Sequence, residues 1–512
     1  MTRNTLLCIC TLLIFLAGCS KEQSNSPKLD EQNFEQTDPL SKREINQIIR
    51  SHTQSKAVFH WSTASDHVVW SAGMEGEQIY AIGYKPPTET DVDDRLHLID
   101  IDDAPWVEAR QRILKLIVEQ ENLENPSEPV TEEEIQPAGK KEFLPVIIAR
   151  FSSFESVRLL RQMDEIRYLD PIGYRMEEAE LRSNAGCGNA SPDNVNPADY
   201  TTTTPNAKIP WNFSFMNIPQ AWSRATGQGI KVAVIDTGVY PNQSKLGSQF
   251  NSGFSSGRSV QKSGFYTGSW WPWARPDGPN DRCGHGTQMA GLVAAPRSTT
   301  GSTVGVAYNC NLHSMRGTND VVINFWREID GVSDAMITAA NDNSMKIISM
   351  SLGDIFSHGQ WRDAVRYAYG RGKLILAAAG TSTSFTNWVG VTFPATMSET
   401  VAVTGVTDRS SLKNCNTCHY GRQVDFVAVM ERDNDSNRTS LTLSSSGSQP
   451  NYVGGSSAAT AITAGIAALV WSTNPGMSRT SVMNKLKNAA SVYPGRNSRY
   501  GWGIIDANAA VQ

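Results

Sequence analysis

The feature that most constrains the fold of this chain is an alternation of apolar, β-branched runs with Ala-rich stretches of helical spacing in its C-terminal part. The apolar runs cover residues 230–235, 347–352, 374–378 and 401–406. Strands that are buried on both faces read as continuous apolar runs, and the helices between them cover the two faces of a parallel sheet. The sequence therefore predicts an α/β fold with a mostly parallel sheet and helices on both faces.

Length and charge narrow the remaining possibilities. A chain of 512 residues exceeds one core of typical domain size, so we expect two or three folded units. Hydrophobic residues make up 39% of the chain and charged residues 19%, which is too polar for a multi-pass membrane protein. Lys and Arg (46) nearly balance Asp and Glu (51), so no strong positive field indicates a nucleic-acid partner.

The N-terminus predicts export and attachment to a membrane. Arg3 precedes an apolar run over residues 6–17, which has the length of a signal-peptide core and is too short to span a bilayer. The run ends in Leu-Ala-Gly-Cys19, which resembles the lipobox of bacterial lipoproteins. Cleavage after residue 18 would make Cys19 the acylated N-terminus of a protein of the bacterial cell envelope. The alternative is an ordinary signal peptide with an incidental cysteine.

Between this leader and the α/β region, the composition changes three times. A polar tether is predicted over residues 19–77, a small α+β unit over residues 78–176, and a linker rich in Asn, Ser, Thr and Pro over residues 177–207. The strands and helices of the small unit are predicted over residues 78–84, 106–119, 144–151, 154–163 and 166–170. The large α/β unit is predicted over residues 208–512.

Three short motifs in the α/β region contain the residue types of a nucleophilic hydrolase. Asp236 follows an apolar run, His285 lies in Gly-His-Gly-Thr at the start of a helix, and Ser457 lies in Gly-Ser-Ser-Ala-Ala at the start of another. A serine hydroxyl is a weak nucleophile until an imidazole takes its proton, and the imidazole needs a carboxylate to stabilise its cation. In open α/β sheets, ligands gather at the carboxyl ends of the strands, where Asp236 is expected.

From about residue 209 to its end, the chain resembles the subtilisin-like serine proteases, whose triad has the same chain order of Asp, His and Ser. The resemblance extends to Ser349-Met-Ser-Leu-Gly353 and to Ala377-Ala-Ala-Gly380. It implies that Asp236 orients His285, that His285 is the general base and that Ser457 is the nucleophile. The two segments would bind the substrate backbone and form the base of the specificity pocket, through Ser349, Ser351, Leu352, Gly353, Ala378, Ala379 and Gly380.

Two adjacent serines compete for the role of the nucleophile. Aligned on the family's Gly-Thr-Ser-x-Ala, Ser456 falls on the threonine and Ser457 on the nucleophile. In the first turn of its helix, Ser457 would also present its own backbone N–H to a developing oxyanion. We therefore assign the nucleophile to Ser457.

The chain departs from the family pattern in the oxyanion hole. Thr381 stands where an asparagine side chain usually donates to the oxyanion, and Asn387 could substitute if its loop folded back. Loss of that donor costs about 10²- to 10³-fold in turnover, a value measured on this family, so a weaker donor slows the reaction without abolishing it. Ala461 replaces the proline usual four residues after the nucleophile, which should change the helix bend and not the chemistry.

No cofactor is required by this chemistry. The acidic calcium ligand that the family carries nine residues after its triad aspartate is Lys245 here, so the usual calcium site is predicted to be absent. Acidic loops such as residues 433–435 could bind calcium, although a solvated turn is the simpler interpretation.

The cysteines of an exported protein suggest disulfides. Cys8 and Cys10 would leave with the signal peptide, and Cys187 lies in the linker. The four cysteines of the α/β region suggest two disulfides whose pairing the sequence leaves undecided: Cys283, Cys310, Cys415 and Cys418. Cys415 and Cys418, followed by His419, could instead form half of a zinc site.

The small α+β unit resembles a subtilisin propeptide, which templates folding and blocks the active site until it is cut. This resemblance implies that the pro-region is an intramolecular inhibitor and that cleavage lies between about residues 176 and 205. The alternative is a permanent accessory domain. The sequence thus predicts a lipid-anchored, autoprocessed serine endopeptidase that acts on peptides or proteins through an acyl-enzyme. A catalytically weak or silent binding protein, suggested by Thr381, and an acyl-enzyme peptide ligase are the open alternatives.

Overall fold

A computed structural model describes most of the chain, with gaps at the N-terminus and in several loops. The described residues are 38–53, 58–139, 141–176, 187–188, 190–269, 275–323, 325–382 and 390–512. The predicted signal peptide, Cys19 and Asn387 lie outside the described residues.

The N-terminal unit contains a small antiparallel sheet. Its elements are α1 (Lys42–Thr53), α2 (Asp66–Glu75), β1 (Ile79–Tyr84), α3 (Val92–Arg95), α4 (Ala104–Glu124), β2 (Val146–Arg150), α5 (Phe154–Leu160) and β3 (Ile166–Asp170). The strand order is β2-β1-β3, with β1 antiparallel to both neighbours. The strands and helices predicted for this unit are confirmed, with α4 extending five residues beyond its predicted end at residue 119.

The small unit begins earlier than the sequence predicts. The polar tether expected over residues 19–77 is wrong for residues 42–53 and 66–75, which form α1 and α2. Ile45 and Ile49 of α1 and Val69 of α2 are buried in the core of the unit. A helix needs apolar residues on one face only, so Ile45 and Ile49, four residues apart, anchor a segment whose composition is otherwise polar.

The large unit follows the alternation seen in the sequence. Its elements are β4 (Tyr200–Thr203), β5 (Ala207–Pro210), α6 (Ile218–Ala221), β6 (Lys231–Asp236), β7 (Val260–Gly264), α7 (His285–Ala294), β8 (Asn311–Arg316), α8 (Trp326–Asn341), β9 (Met345–Met350), α9 (Gly359–Gly370), β10 (Leu374–Ala378), β11 (Thr400–Thr407), β12 (Val424–Arg432), β13 (Asp435–Leu443), β14 (Pro450–Val453), α10 (Gly455–Ser472), α11 (Arg479–Asn488) and α12 (Ala507–Ala510).

The main sheet is mostly parallel, as predicted. Its strand order among the described residues is β14-β13-β12-β11-β10-β9-β6-β8-β7. Pairing is parallel from β12 to β7 and antiparallel between β12, β13 and β14. The four apolar runs of the sequence became β6, β9, β10 and β11, which are adjacent in the middle of the sheet.

Helices cover both faces of this sheet. Along β6, Val232 and Val234 lie in a core with α7 and α10, whereas Ala233 and Ile235 lie in a core with α8 and α9. The α/β fold with helices on both faces is therefore confirmed. Helix α10 is the one helix of the described chain that is long and apolar enough to cross a membrane. Its residues are almost all buried in this core, which accounts for its apolar composition.

The small unit packs on α8 and α9 of the large unit, and the two share one apolar core. Arg167 of β3 makes two hydrogen bonds of 2.7 Å to the Asp363 carboxylate on α9. Trp61 stacks on Phe356 with 5.5 Å between ring centroids. Near the end of the small unit, the Arg175 guanidinium lies 4.1 Å from the centre of the Phe325 ring, just before α8.

Candidate active site

The Asp236 and His285 side chains meet at the carboxyl end of the central strand β6. Asp236 is the last residue of β6 and His285 the first residue of α7. The His285 Nδ1 lies 2.8 Å from one Asp236 carboxylate oxygen and 3.0 Å from the other. With the carboxylate as acceptor, Nδ1 donates the proton, and Nε2 is the ring nitrogen that can accept one.

The turn that precedes His285 is held by one buried carboxylate, that of Asp281. Gly284 has a φ of 98°, a left-handed conformation that glycine adopts without strain. Asp281 accepts five hydrogen bonds from groups on both sides of the site: Thr237 Oγ1, Cys283 N, Gly284 N, Thr287 N and Thr287 Oγ1. Asp281 thus links the residue after Asp236 to the first turn of α7. A single aspartate before Gly-His-Gly-Thr carries no distinctive pattern, so Asp281 could not be predicted from the sequence.

The surroundings of His285 favour its protonated form. Burial lowers the pKa of His285, but the Asp236 charge and the hydrogen bond to it outweigh burial, and the charges of Asp281 and Asp320 add to them. The pKa of His285 is therefore raised above its ordinary value. A raised pKa makes the imidazole a stronger base for a serine proton.

The two competing serines have different environments at the start of α10. Ser456 is fully buried, and its hydroxyl accepts from Gly380 N and lies 3.0 Å from Thr381 Oγ1. Ser457 is partly exposed and lines the same cleft as His285. Among the described residues, Ser457 Oγ makes no hydrogen bond to His285 in the absence of substrate, as often happens before a substrate tightens the site.

Thr381 lies next to the start of α10, with its hydroxyl against Ser456. Its Oγ1 accepts from Ser456 N at 3.2 Å, in addition to the contact with Ser456 Oγ. The first four N–H groups of a helix have no partner within it, and Ser457 N is one of these four in α10. The backbone N–H of Ser457 is thus a candidate oxyanion donor, whereas the Thr381 hydroxyl is engaged by Ser456.

Five of the seven predicted substrate-binding residues line one cleft of about 640 Å³, together with His285, Thr381 and Ser457; these five are Ser351, Leu352, Gly353, Ala378 and Gly380. Ser349 and Ala379 are buried and do not line this cleft. Ser349 is flanked on both sides by paired strands, β6 and β10. Ala379 packs into a core cluster under the sheet edge. The structure therefore does not place these two side chains where a substrate could touch them.

Thr392 fills space between the two segments that would hold a substrate. A Cβ added to Gly353 would lie 2.8 Å from Thr392 Oγ1, and one added to Gly380 would lie 3.1 Å from Thr392 Cγ2. The Thr392 side chain is buried, and its backbone N–H donates to Ala379 O. The Thr392 side chain therefore lies close to both segments, a proximity that no motif around Thr392 in the sequence indicated.

The described part of the chain contains two disulfides, and one of them differs from the set expected from the sequence. Cys187 of the linker bonds to Cys283, two residues before His285, and Cys415 bonds to Cys418. Cys310 is a free, buried thiol, and burial raises its pKa to about 12. Of the four cysteines of the α/β region, only Cys415 and Cys418 therefore pair with each other, because Cys283 bonds to the linker and Cys310 lies inside the apolar core.

The alternative metal sites are occupied by other interactions. The sulfurs of Cys415 and Cys418 are bonded to each other, which removes the thiolates that a zinc half-site would need. Asp433 of the acidic loop pairs with Lys413 at 2.6 Å. Lys245 is buried, and its ammonium donates to Gln249 and Ser244. Among the described residues, no group of three or more His, Cys, Asp or Glu could hold a metal ion.

A comparison with protein families agrees with this architecture. The family model described as Peptidase_S8, subtilase family, matches residues 227–503, which is more than half of the chain. The chain therefore belongs to the subtilase family, and it is a subtilisin-like serine protease, a hydrolase.

Several curated proteins are similar to this chain. Alkaline elastase YaB of Bacillus sp. (strain YaB) is 32% identical over 307 residues, which cover 59% of this chain and 70% of that protein. Subtilisin BL of Lederbergia lenta is 30% identical over 305 residues, which cover 59% of this chain and 99% of that protein. Among solved structures, a protease of Pseudoalteromonas arctica PAMC 21717 is 26% identical, with a TM-score of 0.44, and the match covers 58% of this chain and 93% of that one.

Proposed function

We propose that this protein is a serine endopeptidase that cleaves peptide bonds through an acyl-enzyme, with Asp236, His285 and Ser457 as its triad. The observation that carries the proposal is the Asp236–His285 pair, with contacts of 2.8 and 3.0 Å, whose His285 lines the same cleft as Ser457. Its place at the carboxyl end of the central strand is where open α/β sheets bind ligands.

The proposed reaction has two halves. His285 Nε2 takes the proton of Ser457 Oγ as that oxygen attacks the carbonyl carbon, and the Asp236 carboxylate stabilises the imidazolium. The Ser457 N–H donates to the carbonyl oxygen as it becomes negative. The C–N bond then breaks, the amine leaves with the proton from His285, and the acyl group stays on Ser457. Water, deprotonated by His285, attacks the ester in the second half and restores the serine.

The alternative of a catalytically silent binding protein has one observation in its favour, the Thr381 hydroxyl that is held by Ser456. We expect Ser457→Ala to abolish peptide cleavage and Ser456→Ala, its matched control, to retain measurable cleavage, both checked for folding by circular dichroism. Cleavage by a folded Ser457→Ala variant, or no cleavage by the parent, would contradict the proposal. Product masses separate hydrolysis from ligation, because only ligation joins the acyl fragment to an added amine.

The small unit is proposed to be a pro-region that inhibits the enzyme in the same chain. It shares a core with α8 and α9. The loop that leads into α8 contains Val321 and Val322, which line the cleft. Inside the predicted linker of residues 177–207, Asp193 N donates to Pro450 O, and Asp199 bonds to Arg438, so residues from 190 onward belong to the large unit. We therefore expect the processed bond between residue 176 and Cys187, as N-terminal sequencing of the mature chain would show.

Anchoring by lipid at Cys19 is the remaining part of the proposal. It is supported by the sequence alone, through the apolar run that ends in Leu-Ala-Gly-Cys19 and the polar residues that follow. Intact mass after detergent extraction should show an acylated cysteine at the N-terminus of the precursor. An unacylated N-terminus at another residue, unchanged in Cys19→Ser, would contradict the anchor.

A further inference from the structure

The cleft continues beyond Ser457 and Thr381, into a part that the triad does not use. Thr381 faces Cys418 in an isolated antiparallel bridge, and His419 N donates to Gly380 O. These contacts hold the loop that carries Asn416 and Thr417 against the active site. This second part of the cleft is lined on one side by Asn416, Thr417, Glu431, Ser436, Asn437 and Thr439.

Glu431 is the charged group of this wall. It lies near the end of β12, opposite Thr439 of β13, and its side chain is 7% exposed. Both carboxylate oxygens accept from a single N–H, that of Asn416, at 3.0 Å each. A carboxylate has about four acceptor positions, so Glu431 has acceptor capacity left for a ligand.

The charge of this part of the cleft has one sign. The lining of the cleft also includes Asp193, whose carboxylate accepts from Asn451 Nδ2 and Tyr452 N. None of the described residues that line the cleft is Lys or Arg. Lys413, the cation that acts on Glu431 electrostatically, is engaged by Asp433 at 2.6 Å. A positive ligand would thus find two carboxylates and no competing cation.

The position of Glu431 indicates which half of a substrate would reach it. Ser351 Oγ donates to Ser457 O, and the segment from Ser351 to Gly353 is the one whose resemblance implies pairing with the substrate backbone. We assign this segment to the acyl half of the substrate. Glu431 lies past Thr381, on the β12–β13 hairpin. This hairpin packs against the residues just before Ser457, since a Cβ added to Gly454 would lie 2.8 Å from Thr439 Cγ2. The part of the cleft beyond Thr381 is then left for the amine half.

We propose that this part of the cleft is a subsite for a Lys or Arg on the leaving-group side of the scissile bond, and that Glu431 is its specificity-determining residue. The inference rests on the proposed peptidase function. An ammonium or guanidinium that donates to a nearly buried carboxylate makes a strong, charge-assisted hydrogen bond. Burial raises the pKa of Glu431 because it disfavours the charged carboxylate. A bound cation would offset this unfavourable desolvation.

The test uses quenched fluorescent peptides that are identical except for Lys or norleucine at each of the first three leaving-group positions. We expect Lys at one of these positions to raise kcat/KM about 10-fold in the parent, the size of one charge-assisted hydrogen bond. Glu431→Gln should remove this preference, so that the variant cleaves each Lys peptide and its norleucine counterpart with kcat/KM values within about 2-fold of each other. Asp435→Asn, which removes an acid of the same hairpin that neither lines the cleft nor is among the charges acting on Glu431, is the matched control and should retain the preference.

Two results would overturn the inference while leaving the peptidase intact. One is a parent that cleaves all peptides without preferring Lys, and the other is a Glu431→Gln variant that keeps the preference. Thermal unfolding verifies that the variant is folded, and Glu431→Asp, which keeps the charge on a shorter side chain, should retain part of the preference. A folded parent that cleaves no peptide would overturn the proposed function and the subsite with it.

Discussion

Three carboxylates surround His285 and determine how readily its imidazole takes up a proton. Asp236 touches the ring, whereas Asp281 and Asp320 act through their charge. Asp281 has a second role, because its five hydrogen bonds hold the turn from which His285 projects. We therefore treat Asp281 as a positioning residue whose effects on charge and on geometry can be measured separately.

The pH dependence of activity should report these charges. The base must be neutral, so activity is lost as the pH falls through the pKa of His285, and we expect the midpoint of this acid limb above about 6.5, the ordinary imidazole value. Asp281→Asn removes a nearby negative charge, which destabilises the imidazolium and lowers the pKa of His285. The acid limb of the pH–activity profile should therefore move to lower pH. The substitution should also reduce kcat by about 10-fold or more, since misplaced catalytic groups are costly. The kcat/KM profile of the variant measures both effects.

The control for this profile is Asp277→Asn, since Asp277 pairs with Arg282 and Arg316 and is not among the charges that act on His285. An acid limb that stays in place in Asp281→Asn, or that moves equally in Asp277→Asn, would contradict the electrostatic account.

Thr381 allows a gain-of-function prediction. Its hydroxyl accepts from Ser456 N, a bond that the Oδ1 of an asparagine could take over while Nδ2 points to the oxyanion. We expect Thr381→Asn to raise kcat about 10- to 100-fold with little change in substrate binding, because the amide reaches charge that exists only in the transition state. Single-turnover kinetics would isolate this step. A folded variant that is slower than the parent would mean that the oxyanion hole of the parent already has its full set of donors.

Among the elements, α7 has an unusual attachment, because the Cys187–Cys283 disulfide joins the linker to the turn before it. This bond closes a loop with a sequence separation of 96, against 3 for Cys415–Cys418. The loss of chain entropy in the unfolded state grows with loop length. The longer disulfide should therefore contribute more to stability than the shorter one.

Single variants test this comparison. We expect Cys187→Ser to lower the free energy of unfolding by about 2–4 kcal/mol, whereas Cys415→Ser should cost less. Denaturant titrations of the oxidised proteins measure both values, and adding a reductant should bring the parent close to the less stable variant. An equal loss in the two variants would contradict the loop-length argument.

The elements that could be predicted from the sequence are those with a repeating apolar pattern. The runs that became β6, β9, β10 and β11 are continuous because both faces of these strands are buried. Helix α1 escaped prediction because its apolar residues are few and lie on one face. The β12–β13 hairpin escaped as well, since its polar residues, from Glu431 to Thr439, follow no simple alternation.

The residues of the site also fall into those that a sequence pattern predicts and those that it does not. Asp236, His285 and Ser457 lie in short motifs, and the structure brings Asp236 and His285 into contact from 49 positions apart. Thr392 and Glu431 lie in no motif, and only the folded chain brings them to the cleft. Access to the cleft also depends on neighbouring strands. Ser349 and Ser351 are two residues apart, but Ser349 is paired on both sides, and only Ser351 lines the cleft.

Across the whole molecule, the contact between the two units should control when activity appears. Arg167 and Asp363 are 8% and 0% exposed, so loss of Arg167 leaves a buried carboxylate without its cation, at a cost of about 3–5 kcal/mol. We expect Arg167→Ala to weaken retention of the processed small unit by roughly 100-fold. Size-exclusion chromatography and the lag before peptidase activity measure this release in the full chain.

The matched control is Arg158→Ala, on the same unit, where Arg158 pairs with Glu155 in an exposed position. Such surface pairs contribute little, so its release should resemble that of the parent. Equal release from the two variants would contradict a role for the buried pair.

The central claim is that Ser457, activated by His285 and Asp236, is the nucleophile. The most direct measurement is to label the folded protein with a fluorophosphonate and to locate the phosphonyl group by tandem mass spectrometry of its peptides. The account predicts a single adduct on Ser457, formed faster as the pH rises through the pKa of His285, and none in Ser457→Ala. An adduct on Ser456, or a folded protein that forms no adduct at any pH, would contradict it.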